Sequence, residues 1–207
     1  MIFNFDKTSW TTIAEGEKNC YLMANGLGGY NSMNLVGGLT RGDQAFFMAA
    51  KKAPNVRWNM VTGLLEKLTV DGKEYVLTSQ RMQDKEDLEG FRYLESFTFD
   101  NYPVWVYKVA GVAVTKTIVM VQGENTVAVN YEIEKGGAKN VFLSVKPMLR
   151  VTAKNTAFEK EDAKKKHKEY METNAKNDIH QAAGIFYDMT ELFSPFATQA
   201  QEYIQNL

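Results

Sequence analysis

The sequence has little of the chemistry that extracellular scaffolds and many enzyme sites depend on. One cysteine, Cys20, occurs in 207 residues, so no internal disulfide can form, and a reducing, cytoplasmic compartment is expected. The two histidines, His167 and His180, both fall late in the chain. Residues before 167 therefore cannot assemble a Ser-His-Asp relay. With no cysteine nearby, the pair lacks the ligand spacing of a zinc site and reads as surface histidines. Lys and Arg number 24 against 25 Asp and Glu, a net charge of −1, without the basic excess of nucleic-acid readers. No nucleic-acid partner is expected. No apolar run approaches the roughly 18 residues of a membrane helix. The start, "MIFNFDKTSW", lacks the basic-then-apolar pattern of a secretory signal. Membrane attachment is not expected either.

What is present is a sheet protein. Hydrophobic residues make up 44% of the chain, enough for a sizeable core. From Asn19 to about Arg150, short apolar runs follow one another at roughly ten-residue spacing, the rhythm of a sandwich or barrel. They are "NCYLMA", "QAFFMAA", "LLEKLTV", "KEYVLTS", "FRYLESFTF", "VWVYKVA", "VAVTKTIVM", "TVAVNYEIE" and "VFLSVKPML". Val112, Val114, Ile118 and Met120 put apolar groups on one side of a strand, with Thr115 and Lys116 as the polar contrast. "VDGKE" at 70–74 predicts an Asp-Gly hairpin, and the glycines of "VAGVAV" and "QGEN" supply further turns. The expected fold is mainly β: an antiparallel β-sandwich over residues 1–150, followed by a helical tail or linker over 151–207. In that tail Glu161–Lys165 and Asp162–Lys166 are i,i+4 pairs of a solvated helix. Ile185, Met189, Leu192, Phe193, Phe196, Tyr203, Ile204 and Leu207 form an apolar stripe, interrupted at Ser194-Pro195. Such a stripe must pack on the sandwich or on a second copy, giving a homodimer.

"ANGLGGYNSMNLVGG" at 24–38 holds five glycines within thirteen residues. No Lys follows them as a P-loop requires, and the G-x-G-x-x-G spacing of dinucleotide sites is missing. No cofactor is expected. Leu27, Tyr30, Met33, Leu35 and Val36 need burial, which argues against a linker. Asn25, Gly26, Gly28, Gly29 and Tyr30 therefore read as a structural turn between strands, with a second turn at Gly37-Gly38.

This segment, extended to "NGLGGYNSMNLVGGLTRGDQAFFMAA", resembles the N-terminal domain of bacterial and archaeal glycogen debranching enzymes of the amylo-alpha-1,6-glucosidase type. The likeness continues through "APNVRWNMVTGLLEKLTV", the segment 90–133 and "LSVKPML", and covers about residues 8–150. Where the family carries a histidine after its Thr-Arg step, this chain has Gln44. The resemblance implies a glycoside hydrolase whose catalytic carboxylates sit in a helical (α/α)6 barrel that the sequence does not show. The chain accordingly reads as a fragment, truncated product or diverged short form. It would be a non-catalytic domain that packs against that barrel and has α-glucan as a possible ligand. Two alternatives are a stand-alone carbohydrate-binding module and an interaction protein using its tail.

Glycoside hydrolysis needs two carboxyl groups about 5 to 9.5 Å apart. The run "QDKEDLEG" at 83–90 reads as a solvated acidic loop and does not match an EF-hand, so no metal is expected. Glu66 is expected to be a structural partner of Arg41 or Arg57. Cys20 reads as a buried inert thiol. Trp105 reads as core, whereas Trp58, near a turn, is the better exposed aromatic. The candidate binding residues are Trp58, Arg41 and Gln44, and no residue is assigned as catalytic.

Overall fold

The computed structural model describes residues 2–82 and 85–156. Of the expected tail, residues 157–207 lie outside the described residues, and with them both histidines, the apolar stripe and the dimer route.

The described chain is mainly β. Its strands are β1 (Phe3–Asp6), β2 (Cys20–Ala24), β3 (Tyr30–Asn34), β4 (Ala45–Lys52), β5 (Val56–Val70), β6 (Lys73–Val76), β7 (Ser79–Gln80), β8 (Leu88–Glu89), β9 (Leu94–Phe99), β10 (Pro103–Val109), β11 (Val112–Met120), β12 (Val127–Glu134) and β13 (Val141–Ala153). A one-turn helix, α1 (Ile13–Gly16), precedes β2. Two open antiparallel sheets carry the fold. The first has the order β1-β9-β10-β11-β12; the second runs β13-β5-β4-β3-β2, with β6 also paired to β5. Residues up to Lys154 form one compact unit.

Each of the nine apolar runs contributes to a strand. The Asp-Gly hairpin forms between β5 and β6, with both Asp71 and Gly72 at positive φ. Such a turn twists in the sense that paired strands require. Ala110 and Gly111 make the same turn between β10 and β11. Three strands were not expected. β1 pairs with β9, β3 occupies Tyr30–Asn34 between the two glycine turns and begins at a residue read as part of the first turn, and β8 pairs with β7 inside the run read as a solvated acidic loop. At the far end β13 continues past Arg150 to Ala153.

The sheets meet through side chains in register. Phe5, Phe97, Trp105, Lys116 and Tyr131 are cross-strand partners along one row of the first sheet. Tyr21 of β2 packs on this row, with ring centroids 5.9 Å from Phe97 and 5.7 Å from Trp105. Aromatic pairs at such spacing add about 0.5–1.5 kcal/mol beyond the area they bury.

Lys116 corrects the sequence reading. It lies on the buried face of β11, in phase with Val112, Val114, Ile118 and Met120. Its Nζ is 2.7 Å from Oε1 of Glu66, which reaches in from β5, and both side chains are almost wholly buried. The ammonium also sits 5.1 Å from the Trp105 ring centroid. The Tyr131 hydroxyl donates to the same Glu66 oxygen. Glu66 is thus paired with Lys116 and not with Arg41 or Arg57, because it points between the sheets. Burial, and then the charge of Glu66, raise the Tyr107 and Tyr131 hydroxyls above the usual tyrosine range. Burial first, then Tyr107, raises Tyr21.

Cys20 is a second correction: its thiol is exposed. Along β2, residues Tyr21 and Met23 turn inward, so Cys20, Leu22 and Ala24 face outward by the two-residue alternation of a strand.

Candidate functional site

The glycine segment forms a tight loop between β2 and β3, closed by the Asn25 amide bonding to the Gly29 carbonyl. Gly26 and Gly28 take φ of +78° and +99°, which an L side chain rarely adopts. A Cβ on Gly28 would also lie 2.3 Å from the Pro54 carbonyl oxygen of the β4–β5 turn. A Cβ on Gly29 would lie 2.6 Å from Asn25 Nδ2 and 2.9 Å from the Met48 carbonyl oxygen. The glycines therefore permit close backbone packing.

Asn25, with no exposed surface, is the hub. Its Oδ1 accepts from the Leu27 amide at 3.0 Å, and its Nδ2 donates to the Glu124 carbonyl at 2.7 Å. The Gly123 amide returns a bond to the Asn25 carbonyl at 2.7 Å. Gln122 Nε2 donates to the Ala24 carbonyl, and the Asn125 side chain pairs with both backbone groups of Ala50. The β11–β12 turn of the first sheet is thereby riveted to the loop and to β4 of the second.

The fixed loop forms one wall of a cleft of about 260 Å³ on the outward face of the second sheet. Leu22 and Ala24 from β2, Tyr30 and Ser32 from β3, Gly28 and Gly29, Asp43, Arg57 and Lys154 line it. Strand pairing sets this up: Ala24 is opposite Tyr30 and Leu22 is opposite Ser32, so all four share one face. The Tyr30 hydroxyl donates to the Asp43 carbonyl at 2.5 Å. Arg57 Nε donates to the Gly28 carbonyl at 2.7 Å. The Arg57 guanidinium carbon is 5.9 Å from the Tyr30 ring centroid and Lys154 Nζ is 5.5 Å from it, both within cation–π range. Burial, then the Asp43 charge, raise the Tyr30 hydroxyl above its ordinary value, while Arg57 acts the other way. The ring stays neutral at physiological pH, and its hydroxyl remains a donor.

Of the residues singled out by sequence, Gly28, Gly29 and Tyr30 line this cleft; Trp58, Arg41 and Gln44 do not. Trp58 follows Arg57 on β5, so it points to the opposite face, where Lys51 Nζ covers its half-buried ring at 4.4 Å. Arg41 is exposed in the β3–β4 connection. Gln44 is buried, and its Oε1 accepts from the Thr40 amide at 2.7 Å and the Arg41 amide at 3.1 Å. It shapes that connection, and its Nε2 has no hydrogen-bond partner among the described residues. Asp43, Lys154 and Leu22 escaped sequence reasoning. A lone charge in a turn or at a strand end carries no signal until the sheet brings it beside an aromatic ring.

A family model described as the glycogen debranching enzyme N terminal matches residues 19–203. The chain belongs to this family. The match extends well beyond Arg150, where the resemblance read from sequence fades, and it includes the β2–β3 glycine loop, Asp43, Arg57 and Lys154. Comparisons with curated proteins and with solved structures give no significant match.

Proposed function

We propose that this chain is the non-catalytic N-terminal domain of a glycogen debranching enzyme, a β-sandwich that works beside a catalytic domain hydrolysing α-1,6-glucosidic branch stubs. The family match over residues 19–203 carries the proposal. The chemistry of the sheets supports it. Glu66, the carboxylate held between them, is committed to Lys116 and Tyr131, so it is poorly suited to proton transfer or nucleophilic attack. Glu15, Glu17, Glu89 and Asp87 are tied to neighbouring side chains or backbone amides at the surface. The catalytic pair in this reading belongs to the partner barrel. An exposed, unpaired Cys20 suits a cytoplasmic setting.

The test is glucose release from a limit dextrin by the purified 207-residue chain. The expected result is none. Release that disappears on substituting one of the chain's own carboxylates, Glu66→Gln among them, overturns the reading.

A further inference from the structure

We infer that the side of the sandwich formed by β12 and β13 is a docking surface for a second copy of this chain, with β12 of each copy pairing along β13 of the other. The two strands end their sheets, and among the described residues neither is paired on its far side. They also lie on the same side of the sandwich. Tyr131 on β12 and Lys116 on β11 both meet Glu66 of β5, the strand beside β13. Tyr21 of β2 packs at the other end, on Phe97 of β9 and Trp105 of β10.

The interior is open along this side. Val127, Val129 and Ile133 stand in the inward phase of β12, opposite Met120, Ile118 and Val114 of β11. Val141, Leu143 and Val145 stand in the inward phase of β13, opposite Val70, Leu68 and Glu66 of β5. The β11 and β5 partners are buried, yet all six residues of the end strands are only half-buried. Apolar side chains in core phase that still meet water gain from a cover. That cover must also satisfy two rows of edge N–H and C=O groups, and two further strands do both.

Length and charge select a second copy. β12 has eight residues, and β13 keeps unbroken register with β5 from Val141 to Met148, the same length, before its register shifts. β12 carries Glu132 and Glu134 and no basic residue; β13 carries Lys146 and Arg150 and no acidic one. Two β12 strands, or two β13 strands, would set like charges side by side. A two-fold axis along the strands instead places β12 against β13 twice. Residues 135–140 only turn the chain from one sheet to the other, so β12 and β13 run in opposite senses and both joints are antiparallel. Tyr131 and Val145 both lie level with Glu66, and Glu132 and Lys146 are exposed in the outward phase. Each joint therefore sets Glu132 of one copy diagonal to Lys146 of the other, within reach of long side chains. Eight residues at about 3.3 Å, over roughly 20 Å of two layers, give about 500 Å² per copy. The total of about 1,000 Å² is the lower bound of a specific interface and the size of a weak one.

The experiment is sedimentation equilibrium of the full 207-residue chain, at concentrations up to about 1 mM. The samples are the parent, Glu132→Lys, Lys146→Glu and an equimolar mixture of the two variants. The expected result is a monomer–dimer equilibrium in the parent, with Kd raised at least about tenfold in each variant alone. The mixture should dimerise as the parent does, since each joint again holds one acid and one base. Rescue on mixing cannot come from a contact within one chain. Both variants should keep the parent's urea midpoint at concentrations where all are monomeric. Four outcomes overturn the inference: a parent that stays monomeric, a dimer that neither substitution weakens, a mixture no tighter than its components, or species that grow past the dimer. The second is what a dimer held through residues 157–207 would give.

Discussion

Replacing Lys116 with methionine removes a charge from between the sheets and leaves its partner behind. The ammonium is 2.7 Å from Glu66 Oε1, with both side chains at most 4% exposed. At an effective dielectric constant near 20, opposite unit charges at that distance attract by about 6 kcal/mol before desolvation is counted. Desolvation of the two ions offsets much of this, so the intact pair contributes little net stability. The single variant behaves otherwise. Its Glu66 carboxylate keeps the Tyr131 hydrogen bond and loses its counter-charge, and such a residual buried charge costs about 3–5 kcal/mol. In a domain stable by about 5–15 kcal/mol, that is a large share of the total.

The double variant Lys116→Met with Glu66→Gln restores neutrality and still gives Tyr131 an acceptor. It should recover most of the loss, with a coupling energy of at least about 2 kcal/mol. Urea unfolding followed by tryptophan fluorescence reads all three variants, since Trp105 lies beside the ammonium. The reasoning is refuted if the single variants each cost less than about 1 kcal/mol, or if their effects simply add.

Gly28→Ala should destabilise by more than Gly72→Ala. Both residues have positive φ, worth about 1–2 kcal/mol in strain, but only Gly28 would drive a Cβ into a backbone oxygen. Equal urea midpoints for the two variants would show that the loop relaxes freely. Alkaline stability is expected to fall steeply above about pH 10, the ordinary tyrosine value. Tyr21, Tyr107 and Tyr131 have raised values in the folded state, so below that pH they are neutral in both states. Above it only the unfolded chain loses their protons, at about 4 kcal/mol per pH unit for the three together. A midpoint that stays level from pH 9 to about pH 11 would contradict this.

Strand existence was legible because the turns announce themselves and the apolar runs sit between them. Two-residue turns such as Asp71-Gly72 need only their own residues. β1 escaped because "FNFD" is four residues whose support comes from β9, far along the chain. β3 escaped because glycine dominates its surroundings, although Tyr30–Asn34 pairs with both β2 and β4. The buried ion pair was written in the pattern but read past. Lys116 stands in phase with Val112, Val114, Ile118 and Met120, and Glu66 stands in phase with Leu64, Leu68 and Val70. A charge in the apolar phase of a strand calls for a partner of opposite sign on the facing sheet. Two such positions in one chain name each other.

The glycine segment shows why a local motif underdetermines its role. Its residues explain the turn: positive φ at Gly26 and Gly28, and an Asn25 side chain that accepts from the Leu27 amide two residues on. They do not explain why asparagine is preferable there to aspartate or serine, which also cap turns. The reason is the Nδ2 donor, which reaches the Glu124 carbonyl about a hundred residues away. Aspartate has no such donor, and serine is too short to bridge the same gap while capping Leu27. The turn and the long-range rivet make opposite demands, an acceptor toward the loop and a donor toward the other sheet, and an amide side chain meets both. By holding the loop against β4, it also holds Gly28 where Arg57 can reach its carbonyl, and so positions the guanidinium beside Tyr30. The motif thus acts on the cleft at one remove: its glycines supply backbone, Asn25 fixes that backbone, and Tyr30, Asp43, Arg57 and Lys154 present the chemistry.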